Sequence, residues 1–120
     1  TIDFVDEFGV YQGGRNSPGL HMRLETMHKQ TGKLPLVNPS EYDHQIGKST
    51  EEALFSGAFY GMLHEIEGTI TAFKQDYTSL NIILTGGDAK RFDKRLKNSI
   101  FAHSNFLLEG LNYILTYQND

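Results

Sequence analysis

Residues 81–92 read NIILTGGDAKRF. An apolar run ends at Leu84, two glycines follow at Gly86 and Gly87, and Asp88 then opens a segment rich in lysine and arginine. That order describes a strand entering a tight turn and leaving as a helix, the unit from which α/β folds are assembled. Paired glycines at such a turn let backbone approach a flat or phosphorylated ligand closely. They also suffice for a plain corner, and the stretch alone leaves both readings open.

Outward from this turn, the pattern predicts a buried strand over 80–84 and a helix over 89–97 with Phe92 and Leu96 facing in. A short strand over 100–102 and a last helix through Leu107, Leu108, Leu111, Ile114 and Leu115 complete that side. Upstream, Ser49-Thr50-Glu51-Glu52 is a capping box. Ser49 can accept from the amide of Glu52 while Glu52 reaches back, and both acids sit where the helix dipole is positive. Phe55, Phe59, Met62, Ile66, Ile70, Phe73 and Tyr77 follow at steps of three and four. They predict one amphipathic helix over 50–77, roughly seven turns long. Gly57 and Gly61, four apart, would leave a flat strip on it where a second helix could approach.

Further upstream, residues 33–48 carry two prolines and no period, so they read as a loop. Leu20, Leu24, Met27 and His28 recur at helical spacing before Gly32, with Ser17 as the expected cap and Pro18 in the first helical position. The opening TIDFVDEFGVYQGG reads as a β-hairpin, 1–6 and 10–13, turning near Glu7-Phe8-Gly9. The expected order is β-β-α-loop-α-β-α-β-α: an α/β chain with a mixed sheet and flanking helices, of a length suited to one domain.

Composition excludes several classes. A formal net charge of −4 disfavours a nucleic-acid module, which would carry a basic face. No cysteine is present, so there is neither a disulfide framework nor a thiolate site, which fits a reducing compartment. No apolar run reaches the ~20 residues that span a bilayer. IGKST at 46–50 invites a P-loop reading, but the position five before Gly47 is Tyr42, not glycine, and a Pro-rich loop leads in instead of a strand. Its residues are a helix cap, whose free N–H groups and hydroxyl would still suit a polar or anionic ligand. His21, His28, His44, His64 and His103 show no metal-ligand spacing and read as ordinary surface or edge histidines. Glu65 and Glu67 do not share a helix face, and the basic run Lys90, Arg91, Lys94, Arg95, Lys97 reads as a solvated face.

Taken in order, DEFGVYQGG-RNSPGL, TGKLPLV, IGKST at the head of a long glycine-bearing helix, IILTGGDA and NFLLEGLNYI resemble the type III pantothenate kinases over essentially the whole chain. The resemblance implies the second half of an actin-like ATPase (ribonuclease H-like) fold. The activity implied is ATP-dependent phosphorylation of pantothenate, the first step of coenzyme A biosynthesis, in a cytoplasmic homodimer. A monovalent cation, potassium or ammonium, is the implied cofactor beside ATP.

Residue by residue, the resemblance places Gly86 and Gly87 at the adenosine of ATP and Thr1 at the tail of a phosphate-binding motif. Thr50 is placed at pantothenate, and Gly13, Gly14, Pro18 and Gly19 near the substrate pocket. It puts the dimer contact on the helix over 50–77. Arg15-Asn16 departs from the apolar residues more usual there. The Asp-x-Gly-Asn-Thr and Gly-Ala-Asp-Arg motifs, the second carrying the catalytic aspartate, do not occur in these residues. Nor does the turn that supplies the cation ligand. The expectation is therefore the C-terminal half of a two-domain kinase, as a single domain over 1–120, with no catalytic base or metal ligand of its own and inactive alone. The alternatives are a non-catalytic binding or scaffold module, or another phosphotransferase on the same fold.

Overall fold

The computed structural model describes residues 1–97 and 100–119. The element order is β1 (Ile2–Val5), β2 (Tyr11–Arg15), α1 (Leu20–Thr31), α2 (Thr50–Asp76), β3 (Ile83–Leu84), α3 (Ala89–Asp93), β4 (Phe101–Ala102) and α4 (Phe106–Asn119). The chain divides into two compact units, Thr1–Ala58 and Phe59–Asp120, with the division inside α2.

In the first unit β1 and β2 form the expected antiparallel hairpin, with Phe4 opposite Gly13 and Val5 opposite Tyr11. Gln12 is the extra residue of a bulge, which lengthens β2 beyond the expected 13 to Arg15. The Asp6 carboxylate makes the turn: it accepts from the amides of Phe8 and Val10, both at 2.9 Å. These bonds, that of Val10 first, hold its carboxyl below the usual range.

α1 starts two residues later than the Ser17–Pro18 signal implied. Its N-cap is Gly19, extended at φ −70° and ψ 172°, with no side-chain cap. Arg23 spans the first turn instead, donating from Nε to the carbonyl of Pro18 at 2.8 Å. Leu20 and Leu24 are buried, and Gly32 ends the helix in the left-handed region.

α2 follows its apolar stripe. Phe55, Phe59 and Ile70 are buried, Met62, Ile66 and Phe73 half-buried, and Leu54, Ala58 and Leu63 widen the buried face. Tyr77 lies past the last turn and is exposed. The buried hydroxyl of Thr69 donates back to the carbonyl of Glu65 at 2.8 Å, so no polar atom is stranded.

In the second unit Phe59 stacks on Phe92 with ring centroids 4.9 Å apart. Phe92 and Leu96 are buried as expected, but α3 is shorter than 89–97. Lys90 with Lys94 and Arg91 with Arg95 put like charges one turn apart, which opposes continuation. The amides of Arg95 and Leu96 both turn back to the carbonyl of Phe92, closing the helix.

β3 is also shorter than the expected buried strand. It pairs in parallel with β4, Ile83 opposite Phe101 and Leu84 opposite Ala102, and Ile83 is half exposed. A ladder ends where its partner ends, and β4 is two residues long. Among the described residues the strands therefore form two separate pairs, one antiparallel and one parallel, and not the single mixed sheet expected. The α/β class stands. α4 carries Leu107, Leu108, Leu111, Ile114 and Leu115 as expected, all exposed. Among the described residues no helix is long and apolar enough to cross a membrane.

Candidate functional site

Four side chains and one glycine build the head of α2. Ser49 Oγ accepts from the amide of Glu52 at 3.2 Å, one arm of the capping box. The other arm is displaced by one residue: Glu52 Oε2 accepts from the amide of Lys48 at 2.7 Å. Gly47 explains the shift. A Cβ there would be driven into the backbone N of Ala53, so this chain segment lies flat on the first helical turn. Behind it, buried Ser56 donates to the carbonyl of Gln45 at 2.6 Å, and the Tyr42 hydroxyl donates to the carbonyl of Ile46 at 2.7 Å. The 42–48 segment is thus clamped to the helix it precedes. Thr50, first residue of α2, stands exposed on this framework, and among the described residues its hydroxyl meets no partner.

Gly13, Gly14, Pro18 and Gly19 belong to the same unit as Thr50 but to a different local framework. Gly13 and Gly14 lie on β2, and Pro18 and Gly19 lead into α1. A Cβ at Gly14 would collide with the carbonyl of Ile2 across the hairpin, so strand packing alone requires that glycine. Thr1, exposed, directly precedes β1.

The Gly86-Gly87 turn lies in the other unit, between β3 and α3. Gly86 has φ 109°, a conformation that side chains resist, and the amide of Ala89 donates to its carbonyl at 3.2 Å. Nothing lies within 4 Å of a Cβ built on Gly86 or Gly87. Space above the turn is open, as it is at Gly9, Gly19 and Gly32, so the turn leaves room for a ligand without itself pointing to one. Asp88 caps α3 without a side-chain bond, its carboxylate instead 3.6 Å from Arg91 Nε. Among the described residues no group of three or more His, Cys, Asp or Glu is placed to hold a metal ion.

The family model of type III pantothenate kinases matches residues 1–72. The chain belongs to that family. It is 53% identical over 118 residues to a type III pantothenate kinase of Flavobacterium psychrophilum, covering 98% of this chain and 49% of that protein. Against the namesake proteins of Flavobacterium johnsoniae and Bacteroides fragilis the identities are 48% and 49%, over 100% and 99% of this chain and 49% of each protein. The chain spans about half the length of the curated relatives it matches.

Two features of this chain carry no sequence signal. Gly47 and Ser56 are the residues that fit the loop to α2, yet a glycine before a cap and a serine inside a helix carry no distinctive spacing. The ring of His103, one of five scattered histidines, stands 3.3 Å from the Glu109 carboxylate. A gap of six residues gave no helical or strand period to flag that pair.

Proposed function

We propose that this chain is the C-terminal half of a two-domain type III pantothenate kinase with an actin-like ATPase fold. The complete enzyme transfers the γ-phosphoryl group of ATP to the pantothenate hydroxyl, in the cytoplasm, as the first step of coenzyme A biosynthesis. The observation carrying this reading is the 53% identity over nearly the full chain to a protein named for that activity. Thr50 donates to or accepts from pantothenate at the head of α2, with Gly13, Gly14, Pro18 and Gly19 on the same substrate side. Gly86 and Gly87 receive the adenosine, and Thr1 adjoins the phosphates. The base and the ligand of the potassium or ammonium ion lie outside these residues, so this chain binds and orients while the proton is removed elsewhere. α2, with exposed Gly57 and Gly61, supplies the homodimer contact.

Thr50→Val in the complete kinase tests the assignment, because it removes the hydroxyl and keeps the shape. The expected result is a pantothenate KM raised roughly tenfold with the ATP KM changed less than about twofold. An unchanged pantothenate KM overturns the role of Thr50. A complete wild-type protein that does not phosphorylate pantothenate overturns the function.

A further inference from the structure

The start of α2 is tied to the chain that enters it by hydrogen bonds that nest around Thr50. Glu52 Oε2 accepts from the amide of Lys48 at 2.7 Å, closing a ring of chain from 48 to 52 with Thr50 at its middle. Ser56 donates to the carbonyl of Gln45 at 2.6 Å, closing a wider ring from 45 to 56 around the first. Ser49 adds the cap itself: its Oγ accepts from the amide of Glu52 at 3.2 Å and its carbonyl from the amide of Ala53 at 2.9 Å.

Starting a helix requires less than this. The Ser49 bonds alone cap α2. The Glu52 carboxylate and the Ser56 hydroxyl reach past the cap to residues upstream of it, so they hold the entering chain and not the helix. Ser56 shows this by contrast with the other helical hydroxyls. Thr31, Thr69, Thr71 and Thr116 each donate to the carbonyl four residues before them. Ser56, only 3% exposed, gives its one proton to the loop instead. Gly47 lets the same segment lie against Ala53. Thr50 sits inside both rings, and its hydroxyl takes part in none of these bonds. A side chain with no partner of its own is placed by the backbone beneath it, and a backbone ordered beforehand lowers the cost of binding.

We propose that Glu52 and Ser56 are positioning residues for pantothenate: they hold residues 45–48 against α2, so that Thr50 meets the substrate from a fixed backbone. The inference rests on the reading of Thr50 as the pantothenate contact.

The test is the pantothenate KM and the ATP KM of the complete kinase with Glu52→Ala, Glu52→Gln and Ser56→Ala. Each is made alone and combined with Thr50→Val, and assayed below the melting temperature of every variant. Glutamine keeps an acceptor for the Lys48 amide and loses only the charge. The expected result is a pantothenate KM raised roughly fivefold by either alanine and mostly restored by glutamine at 52, with the ATP KM changed less than about twofold. In the Thr50→Val background the same alanines should add less than about twofold, because they act through Thr50. An unmoved pantothenate KM in Glu52→Ala, or an effect as large with Thr50→Val as without it, overturns the proposal. Glutamine behaving as alanine overturns it too, since the charge and not the bond would then be the cause. Equal changes in both KM values mark a merely structural role and also overturn it. Thr50→Val with no effect of its own overturns the reading of Thr50 instead. If Ser56→Ala fails to fold, the two Glu52 variants, at a half-buried position in the first turn, decide the matter.

Discussion

A methyl group added at Gly47 would be driven into the backbone of Ala53, whereas one added at Gly87 would meet nothing within 4 Å. Both glycines lie in turns that feed a helix, and both stand in motifs that suggest phosphate binding. Their surroundings separate them. Gly47 is needed because a chain segment lies against α2: Ser56 and Glu52 fasten that segment to the helix, and Tyr42 closes it on itself through the carbonyl of Ile46. Gly86 and Gly87 leave space unfilled. A glycine consumed by packing has no room for a ligand, whereas a glycine that faces open space keeps that room, even where, as at Gly86, a positive φ is what requires it.

The comparison breaks or sharpens on three measurements. The largest effect is expected from Gly47→Ala, whose methyl group must displace backbone and not a flexible side-chain end. It should cost about 2–3 kcal/mol, read as a Tm lowered by roughly 10 °C. A melting temperature equal to wild type would show that the loop is not clamped. Gly86→Ala comes next, at about 1–2 kcal/mol, because its φ of 109° disfavours any side chain. Gly87→Ala, at an ordinary φ, should leave stability within about 0.5 kcal/mol and still weaken ATP use several-fold. Loss of stability without loss of ATP use at Gly87 would return that turn to the packing class.

The smallest effect concerns a third turn, held by Asp6 and not by packing. Its carboxyl is held below the usual range in the folded chain, so its contribution is present above that range and is lost as pH falls through the folded value. Protection of the Phe8 and Val10 amides, measured against their intrinsic exchange rates at each pH, should fall on acidification below the usual carboxylate range. In Asp6→Ala that protection should be absent at every pH. Exchange that ignores Asp6 would mean that the strand ladder alone sets this turn.

Legibility followed how local the determinant was. The capping box at Ser49 and Glu52 and the hairpin rest on contacts within one turn, and the stripe along α2 and the inward Phe92 and Leu96 are written in a local helical period. Misreadings arose where a neighbour decides. Ser17 and Pro18 look like a helix start, but Arg23 bonding the Pro18 carbonyl belongs to a helix that begins at Leu20. The 80–84 run has strand composition along its length, yet only Ile83 and Leu84 find a partner. His103 was passed over because its partner Glu109 comes alongside only when the chain turns from β4 into α4.

The sequence by itself determined the order of helices and strands, the long helix and its cap, and the family, since propensity, period and motif order are written along the chain. Only the tertiary structure decided which glycines are spent on packing, how far the strands pair, and that His103 comes within 3.3 Å of Glu109. Those outcomes depend on distances between residues far apart in sequence, and such distances exist only once the chain has folded.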